Sequence, residues 1–224
     1  MIHHSGKKSN FKKILKYVTI SCLFCILIII CNQIGGKMKK LALFLGVIFM
    51  TGIANAKSIV VYYSKTGEQY GVGVIKEGNT AKVAKEIALQ TGADLLELKT
   101  VKEYPEGYSE TTRVAQTELR ENARPELSTK IPDLSQYDTI YLGYPIWWGN
   151  APMCVYTFLD SVDLSGKTVK PFCTHEGSGA SGTQAKIQKA AKGANVKEVL
   201  SIRGTVAQKD AEAVKKEVKA WIGK

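Results

Sequence analysis

The stretch Ser58-Ile59-Val60-Val61-Tyr62-Tyr63-Ser64-Lys65-Thr66-Gly67 decides the fold. Its first six residues are mostly β-branched or aromatic, and predict a strand. Hydroxyls and a glycine follow at once. After the segment 68–78 comes Asn79-Thr80, then Ala81, Val83, Ala84, Ile87 and Ala88 at helical spacing, with Gly92 to stop the helix. Strand, polar glycine turn, helix is the opening half of a βαβ unit. A turn of this composition, running into free N–H groups at a helix start, can cradle a phosphate dianion. It can equally be a polar turn in which Asn79 or Thr80 caps the helix.

The same alternation continues outward. Residues 94–98 read as a second strand, and 100–136 is long and polar, with Pro105, Pro125, Pro132 and a helix over 109–122. A third strand is predicted over 138–143, a helix over 152–159 with Pro152 at its start, and a fourth strand over 168–173. Helices over 184–191 and 207–222 flank a fifth strand near 196–202. The pattern implies an α/β fold with a parallel sheet covered by helices on both faces. In such sheets ligands bind beyond the carboxyl ends of the strands. Gly143-Tyr144-Pro145-Ile146-Trp147-Trp148-Gly149-Asn150 follows the third strand, and Thr174-His175-Glu176-Gly177-Ser178-Gly179 follows the fourth. Adjacent tryptophans in a Pro/Gly loop suit a flat ring system; the alternative places one in the core and one, Trp148, under a loop.

These three loops resemble those of the flavodoxins, over about residues 58–222: Ser64-Lys65-Thr66-Gly67 with Asn79-Thr80, Pro145-Ile146-Trp147, and the Gly/Ser loop. Residues 144–150 and 171–179 are most similar to the bacterial group with an insertion in its phosphate loop. The insertion here, 68–78, leaves Gly67 and Gly78 as alternatives for the family's glycine. The resemblance implies a doubly wound, five-stranded parallel sheet in order 2-1-3-4-5 and bound FMN. It implies that Ser64, Thr66, Asn79 and Thr80, with the backbone at Lys65 and Gly67, hold the phosphate while the Lys65 side chain points to solvent. Trp147 would stack on the isoalloxazine, beside Pro145, Ile146 and Trp148. Backbone N–H groups of the loop 174–179, with Gly177, Ser178 and Gly179, would meet the pyrimidine edge. His175 either faces the ring or braces the loop. No residue is assigned a catalytic role and no metal ligands are expected.

Gly177-Ser178-Gly179-Ala180-Ser181-Gly182 spells G-x-G-x-x-G, but it follows the fourth strand, so it is not read as a dinucleotide fingerprint. Gly71-Val72-Gly73 reads as hairpin or loop glycines. The net charge of +11 comes from 31 basic and 20 acidic residues. Residues 1–56 contain eight lysines and no Arg, Asp or Glu, so 57–224 carries 23 basic against 20 acidic groups, a net of +3. That removes the argument for nucleic acid. Residues 38–56 have the lysines, apolar core and Ala54-Asn55-Ala56 ending of a signal peptide. Residues 1–37 are an upstream extension or a membrane anchor. The expected location is therefore periplasmic or otherwise extracytoplasmic, with membrane attachment if the leader is retained. In 57–224 the cysteines, Cys154 and Cys173, read as buried free thiols rather than a pair, and His175 alone rules out a multi-histidine metal site. Two functions fit. One is an electron carrier that meets a redox partner. The other is an FMN-dependent NAD(P)H oxidoreductase for quinones or similar small acceptors. In the second, the segment 100–136, with Arg113, Arg120 and Arg124, can wall the flavin; otherwise those arginines are solvated helix charges.

Overall fold

The structure, a computed structural model, describes residues 57–223. The leader assignments at 1–37 and 38–56 lie outside the described residues. The order of elements is β1 (Ser58–Tyr63), β2 (Gly67–Gln69), β3 (Gly73–Ile75), α1 (Asn79–Thr91), β4 (Asp94–Leu98), α2 (Tyr108–Glu121) and β5 (Thr139–Pro145). There follow α3 (Met153–Ser161), β6 (Thr168–His175), α4 (Thr183–Ala190), β7 (Asn195–Val196), β8 (Leu200–Arg203), α5 (Gly204–Lys209) and α6 (Ala211–Ile222). The main sheet is parallel, in order β4-β1-β5-β6, with β7 and β8 both pairing β6. This is the expected 2-1-3-4-5 order, with the fifth strand in two pieces.

Alternation along β1 builds both faces. Ile59, Val61 and Tyr63 enter one core with Phe158 of α3 and Ile187 of α4. Val60 and Tyr62 enter the other with Val83 and Ile87 of α1 and Val218 and Trp221 of α6. A strand buried on both sides reads as a continuous apolar run, which is why 58–63 is so legible. Gly143 sits mid-strand because a Cβ there would lie 2.2 Å from the Phe172 ring.

Three expectations need correction. The fifth strand is interrupted, because 197–199 leave the ladder between β7 and β8. The last helix is two helices: Asp210 accepts the Ala213 N–H at 2.9 Å and starts α6 afresh, a capping role the apolar periodicity conceals. The cap of α1 is neither Asn79 nor Thr80. Gly78 holds the N-cap position, and Ser64 Oγ, from the preceding turn, accepts the Ala81 N–H at 3.0 Å. The insertion folds as the antiparallel hairpin β2–β3. Cys154 and Cys173 are buried free thiols. Among the described residues no helix is long and apolar enough to cross a membrane, and no group of three or more His, Cys, Asp or Glu is placed to hold a metal ion.

Candidate functional site

The carboxyl ends of β1, β5 and β6 open onto a cavity of about 360 Å³. That falls in the range of small-molecule sites, roughly 300–1,000 Å³. Of the residues singled out in the sequence, Lys65, Asn79, Pro145, Ile146, Trp147, Trp148, His175 and Ser178 line it. Gly177 and Gly179 belong to the same loop as His175. Ser64 and Thr66 line a second cavity of about 230 Å³, on the side of the loop toward β4, with Lys65 reaching both.

At the first loop the chain is packed tightly against the start of α1. A Cβ on Gly78 would lie 2.2 Å from Ser64 Oγ and 2.6 Å from the Lys65 carbonyl, so only glycine fits there. Gly67 is required for a different reason: its φ is +79°, and a Cβ would lie 2.8 Å from the Glu106 carbonyl. Each of the two candidate glycines therefore has its own constraint. Thr80 is not on the cavity wall. Its hydroxyl is buried in a hydrogen bond with Thr174 at 2.8 Å, tying α1 to β6. Asn79 Oδ1 accepts from Gln208 at 2.9 Å. The N–H groups of Asn79 and Thr80 have no acceptor within the helix, as at any helix start, and remain available to an anion.

Lys65 overturns the expectation of a solvent-pointing side chain. It is 9% exposed, and its Nζ donates to the carbonyls of Thr66 at 2.8 Å and Glu106 at 2.9 Å. Burial pulls its pKa below the ordinary lysine value, partly offset by Glu106 and Glu68. The Glu106 carbonyl that meets the ammonium also accepts the Glu68 N–H at 3.0 Å, so the stretch before α2 stands where solvent was expected.

The tryptophan loop is a tight turn. Trp147 and Asn150 exchange backbone hydrogen bonds at 2.8 and 2.9 Å, while Trp148 and Gly149 take φ of 51° and 69°. Two central residues at positive φ mark a type I′ turn. For tryptophan this backbone costs on the order of 1–3 kcal/mol. Trp148 is 53% exposed, and its Nε1–H donates to the Thr112 carbonyl of α2 at 2.9 Å. Trp147 is half-buried, its ring edge-on to Tyr63 and Tyr104 at 5.5 and 4.9 Å. Two indoles thus border one cavity, one anchored in the core and one held out at the rim.

In the loop after β6, His175 braces the turn. Its Nδ1 accepts the N–H of Gly177 at 2.9 Å and of Gly179 at 3.1 Å. Two of the N–H groups expected to face a ligand are therefore engaged inside the loop. Glu176 fastens the loop to α5, accepting the Thr205 N–H at 2.6 Å.

The remaining wall escaped the sequence reading in its particulars. Tyr70 of the hairpin turn and Tyr108 of α2 line the cavity with their rings 5.8 Å apart, and Thr111, Thr112 and Ala115 continue the wall. The hairpin is fixed to α2: Glu68 N–H donates to the Glu106 carbonyl at 3.0 Å, and Glu68 Oε2 accepts the Tyr108 N–H at 2.8 Å. Two exposed tyrosines flanking glycines were the available signal. The segment 100–136 does wall the cavity, but not through its arginines. Arg113 and Arg120 form exposed ion pairs with Glu110 and Glu121, the reading as solvated helix charges; Arg124 lies beyond α2 and instead pairs with Asp160 of α3.

The flavodoxin family model matches residues 57–224. Among solved structures, a flavoprotein from Bacteroides uniformis is 32% identical, with a TM-score of 0.61 over 75% of this chain and 99% of that one. A flavoprotein from Bacteroides eggerthii is 27% identical, with a TM-score of 0.60 over 76% and 100%. A flavoprotein from Lactobacillus acidophilus, solved in complex with FMN, is 25% identical, with a TM-score of 0.57 over 75% and 99%. No curated protein is similar enough in sequence to count as a match. The 2-1-3-4-5 sheet, the hydroxyl and glycine turn against α1 and the match over 57–224 agree, and the chain belongs to the flavodoxin family.

Proposed function

We propose that the protein binds FMN in the cavity at the carboxyl ends of β1, β5 and β6 and serves as an exported electron-transfer protein. The observation that carries this is the juxtaposition, in one cavity, of two indoles with Lys65 of the first loop and Asn79 at the start of α1. Trp147 and Trp148 border one part, and the Gly78 contact holds the Ser64–Thr66 turn against the start of α1. The donor set suits the cofactor. Helix N–H groups, the Lys65 ammonium and nearby hydroxyls complement a phosphate dianion, and the indoles complement a flat heterocycle. Bound FMN supplies the electron-transfer chemistry. The protein's own residues bind the phosphate, shape the ring site through the type I′ turn, and leave the rim at Trp148 open to a partner. The FMN complex of the Lactobacillus acidophilus flavoprotein supports the same reading. The signal-like pattern at 38–56 supports action outside the cytoplasm, with the redox partner a protein or a small acceptor.

A second reading has its own support. Tyr70 and Tyr108 add an aromatic wall that can enclose a small planar acceptor. That arrangement suits an FMN-dependent NAD(P)H oxidoreductase acting on quinones or similar molecules. Anaerobic addition of NADH or NADPH to the FMN-loaded protein separates the two. A carrier keeps its yellow colour over minutes, and a reductase bleaches within seconds.

A further inference from the structure

His175 stands at the end of β6 and lines the cavity, yet one of its ring nitrogens is occupied within its own loop. The N–H groups of Gly177 and Gly179 converge on Nδ1 at 2.9 and 3.1 Å. A nitrogen that accepts two N–H donors carries no proton, so the imidazole is neutral and its proton rests on Nε2. The segment it holds needs holding: Gly177 and Gly179 lie at φ of +114° and +60°, and both Gly177 and Ser178 are exposed. Apart from His175, Glu176 ties this loop to the body of the protein, through Thr205.

We propose that His175 is the positioning residue of the ring-side loop: its neutral Nδ1 holds Gly177 and Gly179 in the closed turn that receives FMN, and protonation of that nitrogen releases the turn. This rests on the FMN reading given above. Protonation converts the acceptor into a third donor facing two others, so both hydrogen bonds are lost in one step. The charged groups around the ring are Arg203 on β8, in register with His175, and Glu176 beside it; Lys65 and Glu68 line the same cavity. Burial first, and Arg203 second, lower the imidazole pKa from its ordinary 6.5, and Glu176 opposes them. A folded pKa below the unfolded one means that the clasp is fully present above about 6.5 and is lost as the pH falls through the lowered folded value.

The test has two parts. In the 15N-labelled protein without FMN, the His175 nitrogen shifts at pH 7.5 should show an unprotonated Nδ1, and the Gly177 and Gly179 amides should titrate together with a midpoint below 6.5. A protonated Nδ1, or amides that do not titrate, overturns the proposal whether or not FMN binds. The second part measures FMN affinity from pH 5 to 8 in wild type, His175→Ala and His175→Asn. The cofactor phosphate titrates near pH 6 in all three, so variants are compared at each pH. Loss of two hydrogen bonds predicts about ten-fold weaker binding for His175→Ala at pH 7.5. The Asn side-chain oxygen can accept the same two N–H groups but does not titrate. His175→Asn should therefore recover part of that affinity and lack the acid-side weakening of wild type. Equal affinities and identical pH profiles in all three proteins overturn the proposal. If no protein binds FMN while the amides titrate as described, the clasp stands and the FMN reading falls.

Discussion

Gly78 has no room for a methyl group, because Ser64 Oγ and the Lys65 carbonyl occupy the space a Cβ would take. Gly78→Ala should push the first loop away from α1 and remove the Ser64 cap on Ala81. The expected cost is roughly 1–3 kcal/mol, read in thermal unfolding as about 2–4 °C per kcal/mol for a domain of this size, together with weaker FMN binding. An unchanged melting temperature would show that the contact is looser than described. The thiols give a second check at this scale. Burial holds Cys154 far above the ordinary thiol range and pushes Cys173 up to about 11. Both should resist alkylation at pH 8 in the native protein and react after denaturation, as read by peptide mapping. The paired tryptophans, expected to border one site, do line one cavity. Orientations were not legible in the sequence. Lys65 reads as solvent-exposed until the chain folds back over it. Thr80 reads as a phosphate donor, but its hydroxyl pairs with Thr174, far away in sequence.

Among the elements, the hairpin β2–β3 and α2 act as one wall. Glu68 accepts the first N–H of α2, which has no capping side chain of its own at Gly107. Glu68→Ala should cost about 0.5–2 kcal/mol, the usual loss for a missing helix cap. Glu68→Gln, which keeps an acceptor oxygen, should recover most of it in a denaturant titration. Equal stability of all three proteins would show that the hairpin does not hold α2. Elements with strong apolar periodicity, α1 above all, were legible to within a residue or two. The breaks at 197–199 and at Asp210 were not, because hydrophobic spacing continues across both. The hairpin itself has few apolar residues and one three-residue strand on each side, too short to leave a pattern.

For the whole molecule, the layer arrangement follows from the alternation of strands and helices, whereas the strand order, which the structure has as expected, is what the resemblance of the three loops to the flavodoxins implied. The excess positive charge lies in residues 1–56, and the domain that carries the site has a net of only +3. Its cavity is built by segments far apart in the chain: the turn after β1, the tryptophan loop, the histidine loop and α2. The sequence could name the first three because ligand sites in this fold follow known strand ends. The fourth depends on how a long polar segment returns over the sheet edge. Whether this cavity holds FMN is decided by a fluorescence titration of free FMN with the purified apoprotein. Saturable quenching at one FMN per chain is expected as the ring settles against the indoles. Undiminished FMN fluorescence in the presence of folded protein would contradict FMN binding in the cavity.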